Sequence, residues 1–411
     1  MSYNNIRYKG RWGLTALSLV IFLFSYSPAL AQKKEMAQAR SYIKSGKNLD
    51  KAEQMLTALL EKDSVNMQNT KIHDLLYQAV QRQYDMGNEK LYLKQKYDTT
   101  ALFNLTRRMF FICQRLDSID LRPDKKGRVR LEYREKHAGA LHEIRRNLYL
   151  GGRFFLVHNR LDEAFDFFDC YLDCARQPLF TDYHYYERDT LMKDAAYWAT
   201  YTGYRESLPA HTLKYAELAL QDTAKLSFTL QYMAEAYNQL HDDNGYRNTL
   251  SDGFHRFPEH AYFYPRLLDF YNARGQYDEA LQLTDSALTV NPHSEIFLFG
   301  KSTVLLNMGR NEESLEVSRQ LIGINNTLAE PYFNAGTAIL NLIQTLSQDT
   351  PRATLNAKRK TYYQLARPYM EHYRKLAPQQ QHKWAPALYT IYLNLNLGRQ
   401  FEEIDRILKD N

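Results

Sequence analysis

The chain has 411 residues, with 53 Lys and Arg against 47 Asp and Glu and a formal charge of +6. Three of the basic residues, Arg7, Lys9 and Arg11, lie in the first eleven positions, so residues 32–411 carry 50 basic groups against 47 acidic ones. A chain this close to neutrality excludes nucleic-acid binding by a broad basic face. At the amino terminus, the basic start is followed by the apolar run Leu14 to Phe24 and then by Pro28 and Ala29-Leu30-Ala31. The run is about half of the roughly 20 residues that a bilayer-spanning helix needs. Residues 1–31 therefore read as a signal peptide, cleaved before Gln32. No Cys stands near that point for lipid attachment, so the mature chain is expected to be periplasmic or exported, with no integral membrane span.

From residue 32 onward, apolar residues recur at helical spacing between short breaks, with only 17 Gly and 12 Pro in the whole chain. Glu35 to Ser45 and Gly46 to Ser64 form a first helical pair, the latter carrying Leu49-Asp50-Lys51-Ala52. Residues 72 to 116 are helical and less regular, completing an amino-terminal region over 32–116. The stretch 117–140, centred on Pro123-Asp124-Lys125-Lys126-Gly127, is charged and poor in apolar residues and is expected to be a linker. Residues 141–411 then carry the regular part. Leu148 to Arg176 includes Gly151-Gly152, Phe155 and Asn159-Arg160-Leu161-Asp162-Glu163-Ala164, and residues 191 to 220 include Ala195-Ala196, Trp198 and Ala219-Leu220.

The clearest unit runs from Tyr264 to Pro292. Tyr264, Leu267 and Tyr271 mark a first helix, Arg274-Gly275-Gln276 a turn, and Tyr277-Asp278-Glu279-Ala280 a second helix that closes at Asn291-Pro292. Phe257-Pro258 precedes Asn291-Pro292, and Gly275 precedes Gly309, by 34 residues in each case. Residues 296 to 326 keep Gly309 but put Ser314 and Leu321 at the small-residue positions. A further unit pairs Tyr332–Asn341 with Tyr362–Pro378 around an insertion expected to lengthen the turn, and Trp384 to Leu408 reads as a terminal cap. This 34-residue pattern resembles the tetratricopeptide repeat family, in exported bacterial form. The resemblance implies an all-α fold: a tetratricopeptide-type α-solenoid of stacked helix-turn-helix pairs wound as a right-handed superhelix.

Motifs that carry chemistry fail on inspection. Gly300-Lys301-Ser302-Thr303 resembles the end of a phosphate loop, but Glu295 stands where the earlier Gly belongs, and a helix is expected there. His142-Glu143 would open a zinc-protease helix only with His at 146, which is Arg146. Cys170 and Cys174, one helical turn apart, read as small buried thiols rather than a disulfide or metal pair. No catalytic residue, metal site or cofactor is expected, and the chain reads as a non-enzyme. Tyr183, Tyr185 and Tyr186 fall outside the repeat seams, in an expected loop from Thr181 to Glu187. They read either as packing residues or as exposed rings able to stack on a sugar or grip a peptide.

The resemblance also implies a concave groove lined by the first helix of each pair. Carried over by alignment, its positions fall on Gln231, Glu235, Asn238 and Gln239, then Asp269 and Asn272, Thr303 and Asn307, and Thr337 and Asn341. Such amide-rich positions suit hydrogen bonds to the backbone of an extended peptide. The family's carboxylate clamp needs Lys at a position held here by Gln231, Pro265, Phe299 and Phe333, so it is not expected. The function expected is a protein-interaction scaffold of the bacterial cell envelope that takes a protein or extended peptide in the groove, with an outer-membrane complex as a candidate assembly. The alternatives are a carbohydrate-binding component of an outer-membrane uptake system, or an envelope enzyme with an unrecognised site. Amino-terminal sequencing of the native protein should begin at Gln32, and an intact Met1 on membrane-embedded protein would overturn the export reading.

Overall fold

The computed structural model describes residues 27–409, apart from residue 125 and residues 347–350. The expected signal segment lies outside the described residues as far as residue 26, and helix α1 (Ser27–Ser45) crosses the expected cleavage point. The chain divides into two compact units, Met1–Leu240 and His241–Asn411. Both are all-α and built from stacked helical pairs of the tetratricopeptide type, with no β-strand among the described residues. No helix among the described residues is long and apolar enough to cross a membrane.

In the first unit, α1 packs on α2 (Leu49–Glu61), and after the single turn α3 (Ser64–Met67), α4 (Thr70–Tyr92) packs on α5 (Thr99–Asp120). Helix α6 (Arg134–Ile144) leads into α7 (Arg146–Val157), which pairs with α8 (Leu161–Asp173). Two 3-10 turns, Cys174–Arg176 and Pro178–Tyr183, and the short α9 (Tyr185–Arg188) precede α10 (Met192–Arg205). Helix α10 pairs with α11 (Pro209–Lys214) and α12 (Ala216–Ala219), and α13 (Leu226–Gln239) closes the unit. The second unit runs α14 (Asp243–Arg256), α15 (Phe263–Ala273), α16 (Tyr277–Val290), α17 (Glu295–Asn307) and α18 (Asn311–Ile324). It continues through α19 (Glu330–Gln344), α20 (Arg352–Leu376), α21 (Gln381–Asn394) and α22 (Gly398–Lys409), each packed on the next.

One geometry recurs at the turns. The residue two positions before a helix adopts the left-handed conformation at Asn159, Ser207, His241, Gly275, Gly309 and Asn396, with φ between 55° and 73°. Only two of the six are Gly, so the other four accept a backbone conformation that costs an L-residue roughly 1–2 kcal/mol. In five of the helices that follow a first helix the fourth residue is small and buried, whereas Tyr246 stands there in α14 and Phe401 in α22. Ala52, Ala164, Ala280 and Ser314 are 0% exposed, and Thr212 is 1% exposed. Ser314 fills the place of Ala and donates its hydroxyl to the Ser302 carbonyl, 2.8 Å away. Large side chains close the seam from the other helix, and Tyr264 and Leu267 are at most 2% exposed. Burial of side chains of this size contributes about 1.5–3 kcal/mol each.

Glycines inside the helices serve close approach. A Cβ on Gly151 or Gly152 would stand 2.6 or 2.7 Å from the rings of Phe167 and Phe168, so the two glycines of α7 seat two phenylalanines of α8. Gly300 faces the Tyr264 hydroxyl in the same way, and the segment Gly300–Thr303 lies within α17 as a packing element.

Two expectations need correction. Among its described residues, the charged segment expected as a linker over 117–140 is non-helical only at 121–124 and 126–133, because Asp117 stays on α5, 4% exposed, and accepts two bonds from Arg134 at 2.7 and 2.8 Å. That ion pair draws the start of α6 onto the end of α5. The insertion expected to lengthen a turn instead extends α20, whose opening residues 352–361 are helical and anchored by the buried Leu355.

Ala280→Arg places a long cation at a position that is 0% exposed, and it should cost about 3 kcal/mol or more. Glu279→Arg, on the exposed neighbour, should change stability by about 0.5 kcal/mol or less. Chemical denaturation of the two variants distinguishes them, and equal midpoints would refute the repeat phase.

Candidate functional site

In the second unit, α15, α17 and α19 are the first helices of successive pairs and carry the expected groove positions. Asp269 and Asn307 are exposed, and Asn272, Thr303, Thr337 and Asn341 are partly exposed. The Asn307 amide lies 3.5 Å from Asn272 Oδ1, so residues 35 positions apart meet on neighbouring first helices. Part of this polar row is used internally. Asn334, buried on α19, donates to Ser302 Oγ at 2.9 Å and Thr303 Oγ1 at 3.0 Å. Asn341 donates to Asn311 Oδ1 at 3.2 Å, and Asn311 in turn donates to the Gly309 carbonyl at 3.0 Å. Thr303 and Asn341 thus tie one pair to the next, which leaves Asp269, Asn272 and Asn307 as the more open part of the row. In the first unit, Gln231 and Glu235 are partly exposed on α13, and Asn238 is exposed near its end.

The tyrosines fare differently from one another. The segment expected as a loop over 181–187 is a 3-10 turn followed by α9, joined through His184 in the left-handed conformation. Of the two readings open for it, Tyr185 takes the packing one: it is only 5% exposed and covers the buried Arg145. Tyr186 is exposed, and its hydroxyl accepts from Arg176 Nε at 3.0 Å. Tyr183 is partly buried and stacks on His142, with ring centroids 4.3 Å apart.

Arg145 organises this region. It sits between α6 and α7, 5% exposed, with its guanidinium 3.7 Å from the ring centroids of both Tyr171 and Tyr185. It ion-pairs with Asp189 and donates to the Tyr171 carbonyl at 2.9 Å, while the Tyr171 hydroxyl donates to the same carboxylate at 2.5 Å. The Tyr185 hydroxyl and His142 Nδ1 are 3.0 Å apart. Burial pushes the Asp189 carboxyl up, but hydrogen bonds from Arg145, Tyr171 and the Leu191 backbone outweigh it and hold the group below the usual carboxylate range. Burial likewise raises the Tyr171 and Tyr185 phenols. A cavity of about 580 Å³ opens beside the cluster, bordered by His142, Arg146, Tyr183, Arg188 and Asp182.

Sequence reading marked Tyr183 and Tyr185 but missed Arg145, Arg188 and Asp189, whose segments come together only in the folded chain and share no local motif. A larger cavity of about 890 Å³ lies along α5, with Leu60, Leu76 and Phe111 in its lining. Two of its cations are already neutralised, Arg107 by Asp166 and Arg108 by Glu53.

No family model matches the sequence, and no curated protein matches it. Solved structures do. The C-terminal part of a TPR repeat-containing protein from Cytophaga hutchinsonii is 10% identical, over 62% of this chain and 92% of that one, with a TM-score of 0.42. A MamA structure from AMB-1 is 13% identical over 46% and 94% of the two chains, with a TM-score of 0.33. The P58(IPK) TPR domain is 12% identical over 85% and 99%, with a TM-score of 0.26. All three TM-scores lie under 0.5.

Asp189→Asn keeps the shape of the cluster but leaves Arg145 buried without a counter-charge, and it should cost about 3 kcal/mol or more. Because the Asp189 carboxyl is depressed in the folded state, its contribution is fully present above the ordinary Asp value of about 3.9 and is lost as pH falls through the folded value. Denaturation midpoints taken from pH 7 downward should therefore fall more steeply below about pH 4 in the wild type than in the variant. Parallel curves would remove Asp189 from this role.

Proposed function

We propose that the chain is a non-enzymatic protein-interaction scaffold, exported to the bacterial cell envelope, that holds an extended segment of a partner protein against the first-helix face of its repeats. The observation that carries this reading is the meeting of Asn272 and Asn307 on successive first helices, partly or fully exposed, with Asp269 exposed one turn earlier on α15. An amide offers both donors and an acceptor, and an extended backbone presents the same groups alternately along its length. The packed seams beneath fix the spacing of these amides before a partner arrives, which limits the ordering cost of binding. Export rests on the basic start, the eleven-residue apolar run and Ala29-Leu30-Ala31.

The test is capture of envelope proteins by the wild type and by a variant with Asn238→Ala, Asn272→Ala and Asn307→Ala, followed by measured affinity for the partner identified. Exposed positions of this kind contribute little to folding, so the melting temperature should stay nearly constant. Each lost amide should weaken binding by roughly 0.5–1.5 kcal/mol. Undiminished capture by the triple variant would sink the proposal.

A further inference from the structure

The cavity beside Arg145 is independent of the amide row and has the chemistry of a small-molecule site. Its lining combines the polar groups of His142, Arg146, Asp182 and Arg188 with the rings of Tyr171, Tyr183 and Tyr185 and the side chain of Leu191. Arg146 and Arg188 are both exposed at it, and neither has an ion-pair partner among the described residues. The acid nearest the floor, Asp189, is already committed to Arg145 and the Tyr171 hydroxyl, which leaves Asp182 against two unneutralised guanidinium groups. The cavity therefore favours an anion. Arg145 itself is held beneath the cavity by Asp189, the Tyr171 carbonyl and Met192 Sδ, and its Nε–H, closed to solvent, has no acceptor among the described residues.

The aromatic side of the cavity narrows the class. His142, Tyr183 and Tyr185 lie nearly parallel to one another, at interplanar angles of 12° to 26°. Of these rings the exposed His142 and the partly exposed Tyr183 can meet the flat C–H face of a sugar ring, while the surrounding carboxylate, phenol and guanidinium groups match hydroxyls that both donate and accept. An apolar aromatic acid would leave those groups unpaired. We propose that this cavity binds a small acidic saccharide, with a uronate carboxylate held by Arg146 and Arg188 and a sugar ring placed on Tyr183. Forked guanidinium groups are well matched to a carboxylate.

Titration calorimetry on the full-length chain tests this with galacturonate and glucuronate di- and trisaccharides. The comparison probes are the matching neutral oligosaccharides, 4-hydroxybenzoate, inorganic phosphate and an acidic tetrapeptide. At least one uronate oligomer should bind saturably, with its neutral counterpart about tenfold weaker or more. Arg146→Gln combined with Arg188→Gln should reduce uronate affinity about tenfold or more while leaving the melting temperature unchanged, since both side chains are exposed. Tyr183→Ala should weaken the acidic and neutral sugars alike, separating ring stacking from charge. The Asn272→Ala, Asn307→Ala variant should bind uronates normally, so failure here is distinguishable from failure of the scaffold reading. Absence of saturable uronate binding would overturn the proposal, as would equal affinity in the double Arg variant. Equal or tighter binding of phosphate, benzoate or the peptide would also overturn it.

Discussion

Backbone approach at the base of five helical pairs is the constraint on which much of this protein depends. There the fourth residue of the second helix is small, and Ala52, Ala164, Thr212, Ala280 and Ser314 are at most 1% exposed, whereas Tyr246 in α14 and Phe401 in α22 are large and partly exposed. For each of the five small residues the amide bonds to the carbonyl just ahead of the helix, at 3.0 Å. The left-handed turn before several of these helices reverses the chain sharply enough to bring the two helices into contact. In the pair of α10 and α11 the approach reaches the backbone itself, since a Cβ on Gly203 would lie 2.4 Å from the Thr212 nitrogen. A packed interior of this density tolerates neither added volume nor unpaired charge.

Because the seams consume the small and aromatic residues, each pair has a limited set of side chains left to present. In the second unit that set is amide-rich, and its members differ in how far they are already engaged. Asn334 and Asn341 hold adjacent pairs together, whereas Asn272 and Asn307 meet each other at the surface. In the first unit α8 and α10 pack on each other directly, but the chain between them runs through two 3-10 turns and α9. That irregular stretch folds over Arg145 and borders the cavity beside it. A cation–π sandwich and a buried ion pair hold it, and such an arrangement is strongly destabilised when either charge is removed.

Much of this was legible in the residues. The 34-residue interval, Ala280 in its seam, the helical character of Gly300–Thr303 and the turn glycines Gly275 and Gly309 follow from local pattern, and the structure places each as read. The same turn at Asn159, Ser207, His241 and Asn396 was harder to see, because a left-handed backbone leaves no mark when the residue is not Gly. The extent of the charged segment was misjudged for a different reason: Asp117 and Arg134 look like solvent-facing charges until the fold sets them 2.7 Å apart.

Sequence by itself determined the helical class, the repeat and the small-residue seams, since these rest on spacings of three, four and 34 residues that a chain carries before it folds. Tertiary structure alone decided which polar residues are displayed and which are spent. Asn307 and Asn341 occupy matching places in the pattern, yet one is exposed and the other bonds to Asn311. It also decided that Tyr185 is buried while Tyr186, its neighbour, is not. The reason is the range of the interactions involved. Helix formation is written in near neighbours, but Arg145 finds Tyr171 and Asp189 across 26 and 44 residues, and only a folded chain closes such distances.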